Sequence, residues 1–555
     1  MTIKTTLTTE MIEQYGADGR WRDKSLLAAF NDSVAATPDK AATVDPDGSR
    51  RSYAEVSRVA RALACNLAAR GVGPGDVISV QLPNCGDLVV VHIAALMLGA
   101  ITNPLLTNYR AKELEYILGF AGTKVCVIPD NYRGHDFVAM YGKLRKDLPA
   151  LETICVVGKP EPGEGMIRFA DLLDAPQGAV LPPAQADCNR VSLLAFTSGT
   201  ESNPKGVVHS ENTMMYGTLA MRDLLGLTSD DVVWGPSPLS HGTGFQWGLR
   251  MAITLGATLV IQDIWDPVEA IRMIEREKCT FSLAATPFAA MLLECPEVDE
   301  HDLSGLRIFG CAGAAIPENL GKSFRERIGC TLIGMWGMTE CFVGTASSPD
   351  APEEKLWLTD GMAMPGAEVA IFDECRINRL PPGEVGEMAT RGPHVALGYY
   401  NDPDRTRDTF REDGWLFSND LATIDADGYI RLVGRKKDIV NRGGLKISVR
   451  EIEEMLLSHG AFSMVAVVAV PDDRLGEKSC AFVLPRPGKS CSFKEIIAYL
   501  TSKGIAKYKL PEYYVELSHF PMTASGKIQK FKLRDDFLAG SLQVTGVDTK
   551  SEQGT

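Results

Sequence analysis

Apolar positions along the chain follow two rhythms that alternate. Ser52-Tyr-Ala-Glu55 has the form of a capping box. Tyr53, Val56, Val59, Ala60, Leu63, Ala64 and Leu67 follow it at helical spacing, until Gly71 and Gly73 stop the helix. A strand over Val77 to Leu82, a buried helix over Leu88 to Leu98 and a strand over Lys124 to Ile128 continue the alternation. The longest apolar stretch, Leu88 to Thr102, contains His92 and Gly99 and falls short of a membrane span, so it reads as core helix. The rhythm returns with strands at Val191 to Phe196, Val232 to Gly235, Thr258 to Gln262, Phe281 to Ala285, Leu306 to Phe309 and Thr331 to Gly334. Helices fall between the later strands, one with Pro317 at its first position. This pattern predicts an α/β fold with parallel sheets and crossover helices, whose ligand crevice lies beyond the carboxyl ends of the strands. His241 to Phe245, Gly310 to Pro317 and Met335 to Glu340 are the candidate loops there.

Near Asp360 the texture changes to short segments punctuated by Gly and Pro, as in Pro381-Pro-Gly-Glu384, which predicts a small β-rich subdomain. The charged turn Gly434-Arg-Lys-Lys-Asp438 follows. Beyond it helices at Val449 to His459 and Phe493 to Lys503 intersperse with strands at Val465 to Val470, Cys480 to Leu484 and Tyr513 to Leu517. About a hundred residues of this α+β kind make an independent domain. The expected division is a large domain over 1–434, a smaller one over 435–540 and a polar tail over 541–555, with no internal repeats.

At 555 residues and 45% apolar content, more than one hydrophobic core is expected. The net charge of −14 argues against a nucleic-acid partner and leaves room for a local basic pocket. Thirteen cysteines without a C-x-x-C pair suit reduced thiols better than a disulfide framework or zinc site, and the first residues lack a signal-peptide apolar segment. A cytoplasmic protein without a membrane span is the expectation, with monomer and homodimer both open.

The chain's organising stretch is Phe196-Thr-Ser-Gly-Thr-Glu-Ser-Asn-Pro-Lys-Gly206, a strand that empties into a loop of small hydroxyl residues, glycine and one lysine. Thr197, Ser198, Gly199 and Thr200 can aim N–H and O–H donors at an anion, and Lys205 adds a mobile positive charge. It is not a Walker A loop, because Lys205 is followed by Gly206. Alone, such a turn is more often plain surface, and His241 in Ser237-Pro-Leu-Ser-His-Gly242 is more often a core histidine.

Together with Gly334-Met-Trp-Gly-Met-Thr-Glu340, Gly414-Trp-Leu-Phe-Ser-Asn-Asp420, Gly434-Arg-Lys-Lys-Asp438 and Ser525-Gly-Lys527, however, the loop resembles the ordered motif series of the adenylate-forming superfamily. That superfamily includes acyl-CoA synthetases, peptide-synthetase adenylation domains and firefly luciferase, and the resemblance runs over nearly the whole chain. It implies activation of a carboxylate with Mg-ATP to an acyl-adenylate and pyrophosphate, then transfer to coenzyme A. By the same resemblance Trp336 stacks on adenine beside Met338 and a wall of Gly313, Ala314 and Ala315. Thr339 contacts the α-phosphate. Glu340 and Thr200 ligate magnesium, whose hard character suits oxygen donors, and both count as catalytic. Asp420 holds the ribose and Arg435 supplies a second contact to ribose or phosphate, with Asn419 replacing the family's usual glycine and tolerating positive φ in its place. Lys527 is the adenylation lysine, which brings the carboxylate and α-phosphate together.

By the same resemblance His241, Phe245, Gly310, Gly334, Met335 and Gly337 are expected to line the acyl pocket, with His241 near the reacting carboxylate. It likewise implies that Lys437 is the hinge and that Gly443, Gly444 and Lys446 serve the coenzyme A channel, with Arg442 and Arg450 nearby. Gly337, which resembles a position that is bulky in acetate-specific relatives, implies an open pocket for a cyclic, aromatic or medium-chain monocarboxylate. The alternatives are an enzyme that loads a carrier-protein phosphopantetheine, a luciferase-like oxygenase and a non-catalytic binder.

Overall fold

Ser52 and Glu55 cap each other's backbone as expected: the Glu55 amide donates to the Ser52 hydroxyl and the Ser52 amide to the Glu55 carboxylate, opening helix Tyr53–Ala68. The computed structural model describes residues 7–158, 162–176, 178, 181, 187–197, 204–313, 316–523 and 527–546. The apolar alternation that follows the cap builds an eight-stranded sheet. Its strands run in the order Gly398–Tyr399, Gly206–Ser210, Val191–Phe196, Ile101–Pro104, Val77–Val80, Thr123–Pro129, Thr153–Val157, Ile167–Arg168. Pairing is parallel from Val191–Phe196 outward and antiparallel at the other edge, where Val191–Phe196 pairs with Gly206–Ser210. The long apolar stretch is helix only over Gly86–Leu98. Gly99 takes φ +66° and ends it, and the chain returns as strand Ile101–Pro104.

The second half of the rhythm builds a nine-stranded sheet around five adjacent parallel strands. In spatial order these are Thr258–Ile261, Val232–Gly235, Phe281–Ala285, Ile308–Ala312 and Thr331–Trp336. Ala41–Val44, far away in sequence, adds a sixth parallel strand beside Thr258–Ile261. Two of the expected strands run further than the sequence pattern, Ile308–Ala312 and Thr331–Trp336, so Gly310, Met335 and Trp336 lie in strands rather than loops. Pro317 stands at the N-cap of helix Glu318–Ile328, one place before the expected position. One large apolar core lies between and around the two sheets.

A four-stranded antiparallel sheet forms the β-rich part, in the order Glu368–Phe372, Gly386–Arg391, Leu416–Ile424, Ile430–Arg435. Further on, Phe462–Asp472 and Gly476–Pro485 pair along their length and Tyr513–Glu516 joins parallel. Helices Val449–Ser458 and Phe493–Ser502 cover one face of this last sheet. Among the described residues no helix is long and apolar enough to cross a membrane.

Candidate active site

The loop that follows strand Val191–Phe196 is closed at its base. The Thr197 amide donates to the Lys205 carbonyl at 3.0 Å, where the antiparallel strands on either side end. Ser198, Gly199 and Thr200, with Glu201 and Ser202, lie outside the described residues. The Lys205 ammonium sits 4.9 Å from the Tyr399 ring centroid and 3.5 Å from its hydroxyl. That hydroxyl donates to the Glu340 carboxylate at 2.6 Å. Burial raises the Glu340 carboxyl above its ordinary range, and the Tyr399 hydrogen bond and the Lys205 and Arg435 charges oppose the rise.

The Asp420–Arg435 pair is set by strand register. Asp420 and Arg435 face each other across adjacent antiparallel strands, with Arg435 Nε 3.2 Å from Asp420 Oδ1. The indole N–H of Trp336 donates to Asp420 Oδ2 at 2.8 Å. Only 4% of Trp336 is exposed, and Gly344 lies so close that a Cβ there would be 2.3 Å from the ring; this leaves little of the indole free for a stacked base and makes it an orienting partner of Asp420. Asn419 takes φ +61°, the left-handed conformation expected of the glycine's replacement.

Lys527 reaches the same place from the C-terminal part of the chain. Its side chain runs over Gly313, at φ +82°, so closely that a Cβ on Gly313 would lie 3.0 Å from Lys527 Cε. Burial and then Arg435 hold the ammonium below the usual lysine value, and Asp420 opposes them. Ala314 and Ala315, the rest of the expected adenine wall, lie outside the described residues. Thr339 points its carbonyl at His209 Nε2, 2.7 Å away, and Met338 gives its carbonyl to the amides of Cys341 and Phe342.

His241 is half-buried, and burial followed by the Lys527 charge holds its pKa down to about 3, so the ring is neutral. Its Nδ1 accepts the Thr243 amide at 3.3 Å, which places the ring proton on Nε2 and makes that atom a donor. Phe245 is the second residue of the π-helical turn Gly244–Arg250, a type of turn often found at functional sites. It is buried edge-on against His92, with ring centroids 4.8 Å apart. Behind it the Arg250 guanidinium pairs with Glu211 at 3.1 Å, both side chains nearly solvent-free.

Three expected pocket glycines are required by packing instead. A Cβ on Gly337 would fall 2.0 Å from the Phe342 carbonyl oxygen, so this glycine admits the neighbouring backbone and leaves no acyl space. At Gly310 the obstacle is Leu283, 2.8 Å away, and at Gly334 the Thr359 carbonyl, 2.7 Å away. Met335 is buried, and its strand pairs on both sides, with Ala312 and with Ala346. Gly443 and Gly444, at φ +56° and +88°, form the two-residue turn of a hairpin between Ile439–Arg442 and Leu445–Ser448. The expected basic cluster around them is already paired: Arg442 with Glu512, Lys446 with Glu374, and Arg450 with Asp360 and Glu454. Lys437 lies in the turn Lys436–Asp438. Its side chain is outside what the structure describes. Tyr399 and His209 went unread in the sequence; Tyr399 had only the glycine before it as a signal, and His209 sits inside an apolar strand.

Comparison with known proteins shows the family. The AMP-binding enzyme model matches residues 30–400, and the AMP-binding enzyme C-terminal domain model matches 451–527. The medium-chain fatty-acid–CoA ligase of Escherichia coli (strain K12) is 37% identical over 97% of this chain and 95% of its own length. The 2,3-dihydroxybenzoate-AMP ligase of Bacillus subtilis (strain 168) is 30% identical over 95% and 96%. The crystal structure of the anthranilate CoA ligase AuaEII with anthranoyl-AMP superposes with TM-score 0.85, at 28% identity, over 93% of this chain and 98% of that one. The chain belongs to the AMP-binding enzyme family and, within the adenylate-forming superfamily, to the acyl-CoA synthetase branch of AMP-forming acid–thiol ligases.

Proposed function

We propose that this chain activates a cyclic, aromatic or medium-chain monocarboxylic acid with ATP and transfers the acyl group to coenzyme A. The observation that carries the reading is the meeting of Lys527 with Gly313, Asp420, Arg435 and His241, because a mobile cation and a neutral donor there face where two anions must combine. In the first step a carboxylate oxygen bonds to the α-phosphorus and pyrophosphate leaves. Lys527 offsets the repulsion between the two anions, and His241 Nε2–H orients the carboxylate. Asp420 and Arg435 fit the ribose, since a carboxylate accepts from hydroxyl groups. In the second step the thiol sulfur of coenzyme A bonds to the acyl carbonyl carbon, the thiol proton is lost, and AMP leaves. Glu340, with Thr200, would hold a magnesium ion, which supplies charge neutralisation for the phosphates; the Glu340 carboxylate is the hard oxygen donor such an ion takes.

Residues 435–540 form the moving part in this reading. They turn about Lys437 between the steps, while 1–434 hold ATP and acid and 541–555 form a tail. With Gly337 closed off by Phe342, the acid class rests on the relatives, which are named for medium-chain and aromatic acids. Assay of AMP and thioester release with acetate, octanoate, benzoate and cyclohexanecarboxylate tests the proposal. Octanoate or a ring acid should give the highest kcat/KM. The highest value for acetate overturns the acid class, and pyrophosphate release without thioester from free coenzyme A moves the reading to carrier-protein loading.

A further inference from the structure

We infer that Asn84 is a positioning residue for acid binding: from the first sheet it clamps the turn of the second sheet that presents His241. The inference rests on the reading of His241 as the donor to the substrate carboxylate. Asn84 sits between strand Val77–Val80 and helix Gly86–Leu98, and only 6% of it is exposed. Its side-chain amide donates to the Ser237 carbonyl at 3.1 Å and to the Gln262 carbonyl at 2.9 Å, and its oxygen accepts the Leu239 amide at 2.7 Å. Both N–H groups are therefore used, and the three partners lie at the carboxyl ends of strands Val232–Gly235 and Thr258–Ile261. The backbone of Asn84 is fixed too, since its amide donates to Asp263 at 3.0 Å and Asp263 also accepts the Tyr132 hydroxyl.

The turn transmits the clamp to His241 with little slack. The His241 amide donates to the Pro238 carbonyl at 2.9 Å, between the two clamped residues and the histidine. Gly244 packs on that same carbonyl so tightly that a Cβ would lie 2.2 Å from its oxygen. A Cβ on Gly242 would be 3.1 Å from the Phe342 ring, so the far side of the turn is closed as well. Movement of Ser237 or Leu239 is thus passed to the imidazole. A buried amide with all its donors satisfied is costly to mismatch, and it specifies one arrangement of the segments it joins.

Asn84→Asp tests this without a change of shape. It keeps the acceptor for Leu239 but turns an oxygen toward two carbonyls, so the turn should loosen. Asn84→Ala removes all three bonds. Both variants should raise the KM for the preferred acid about ten- to a hundredfold. The Kd for ATP, measured by isothermal titration without acid, should stay within about twofold, the scale of a change that removes no contact. An acid KM unchanged in Asn84→Asp overturns the inference, as does an ATP Kd that weakens as much as the acid KM. His241→Ala separates the two levels. If it leaves the acid KM unchanged, the reading of His241 fails; if it raises it while Asn84→Asp does not, only the clamp fails. In the wild-type chain, labelled at asparagine nitrogen, the Asn84 side-chain N–H resonances should be protected from solvent exchange and shift when the acid is added. Fast exchange overturns the clamp even if neither variant folds.

Discussion

Lys527 and Asp420 share one desolvated corner that the more exposed Arg435 faces, so two cations meet one carboxylate there. Burial raises the Asp420 carboxyl above its ordinary range, and the Arg435 charge, the Trp336 N–H and the Lys527 charge oppose the rise. Removing the mobile cation should affect one half-reaction only. Lys527→Ala is expected to abolish acid-dependent ATP–pyrophosphate exchange while thioester formation from supplied acyl-adenylate continues; equal loss of both would contradict the division of labour. Gly337→Trp is a second test at this scale. Since any side chain there meets the Phe342 backbone, the variant should lose activity on long and short acids alike and melt lower, rather than shift preference toward acetate. Asn419→Gly should change stability by less than about 1 kcal/mol, because both residues accept φ +61°. The family motifs made Lys527, Asp420 and Glu340 legible; the packing that makes Gly337 obligatory involves Phe342 and Val343, whose closeness no spacing rule reveals.

At the level of elements, the hairpin Ile439–Arg442 and Leu445–Ser448 concentrates its strain in two glycines at positive φ. Nothing lies within 4 Å of a Cβ on Gly444, so a side chain there would meet backbone strain of about 1–2 kcal/mol and no clash. Gly444→Leu should therefore fold, with unchanged circular dichroism. If the hairpin lines the coenzyme A channel after rotation, CoA-dependent turnover should fall by orders of magnitude while ATP–pyrophosphate exchange survives. A parallel fall of both would make the hairpin purely structural. The Ser52–Glu55 box is a simpler case, where Ser52→Ala should cost about 1 kcal/mol in urea unfolding. That box was readable because both partners lie within four residues. Strand Gly206–Ser210 and the Gly398–Tyr399 edge were not read, because their pairing depends on residues about 190 positions apart.

Across the whole molecule, the Lys527-in arrangement is tied by ion pairs between distant segments. Arg450 pairs with Asp360 at 3.3 Å, Arg431 with Glu454 at 2.9 Å, and Arg486 with Glu294. Arg450 and Asp360 are the most enclosed, so their loss matters more than that of exposed pairs, which contribute little. Asp360→Asn should slow adenylation several-fold while sparing thioester formation; an unchanged ratio of the two rates would show that the pair does not bias the arrangement. Acid should act on the fold itself. His92, His209 and His394 are fully buried, and burial lowers them to about 3, about 4 and about 3, so they gain protons near pH 6.5 only in the unfolded chain. The unfolded state then binds more protons, and stability must fall as pH drops from 6.5 toward 4, by about 1.4 kcal/mol per unit for each histidine. A urea midpoint that does not decrease between pH 7 and 5 would refute this.

The sequence by itself determined the alternation of strands and helices, the capping box, the positive-φ tolerance of Asn419 and the motif series that marks the family, because each is encoded by neighbours a few residues apart. Only the tertiary structure decided which strands pair, which glycines exist to admit a neighbouring backbone, and that Tyr399 bonds Glu340, His209 bonds Thr339 and Asn84 bonds Ser237 and Leu239. Those facts depend on contacts between remote segments, whose relative placement is fixed by burial and packing of the entire core and by no local run of residues.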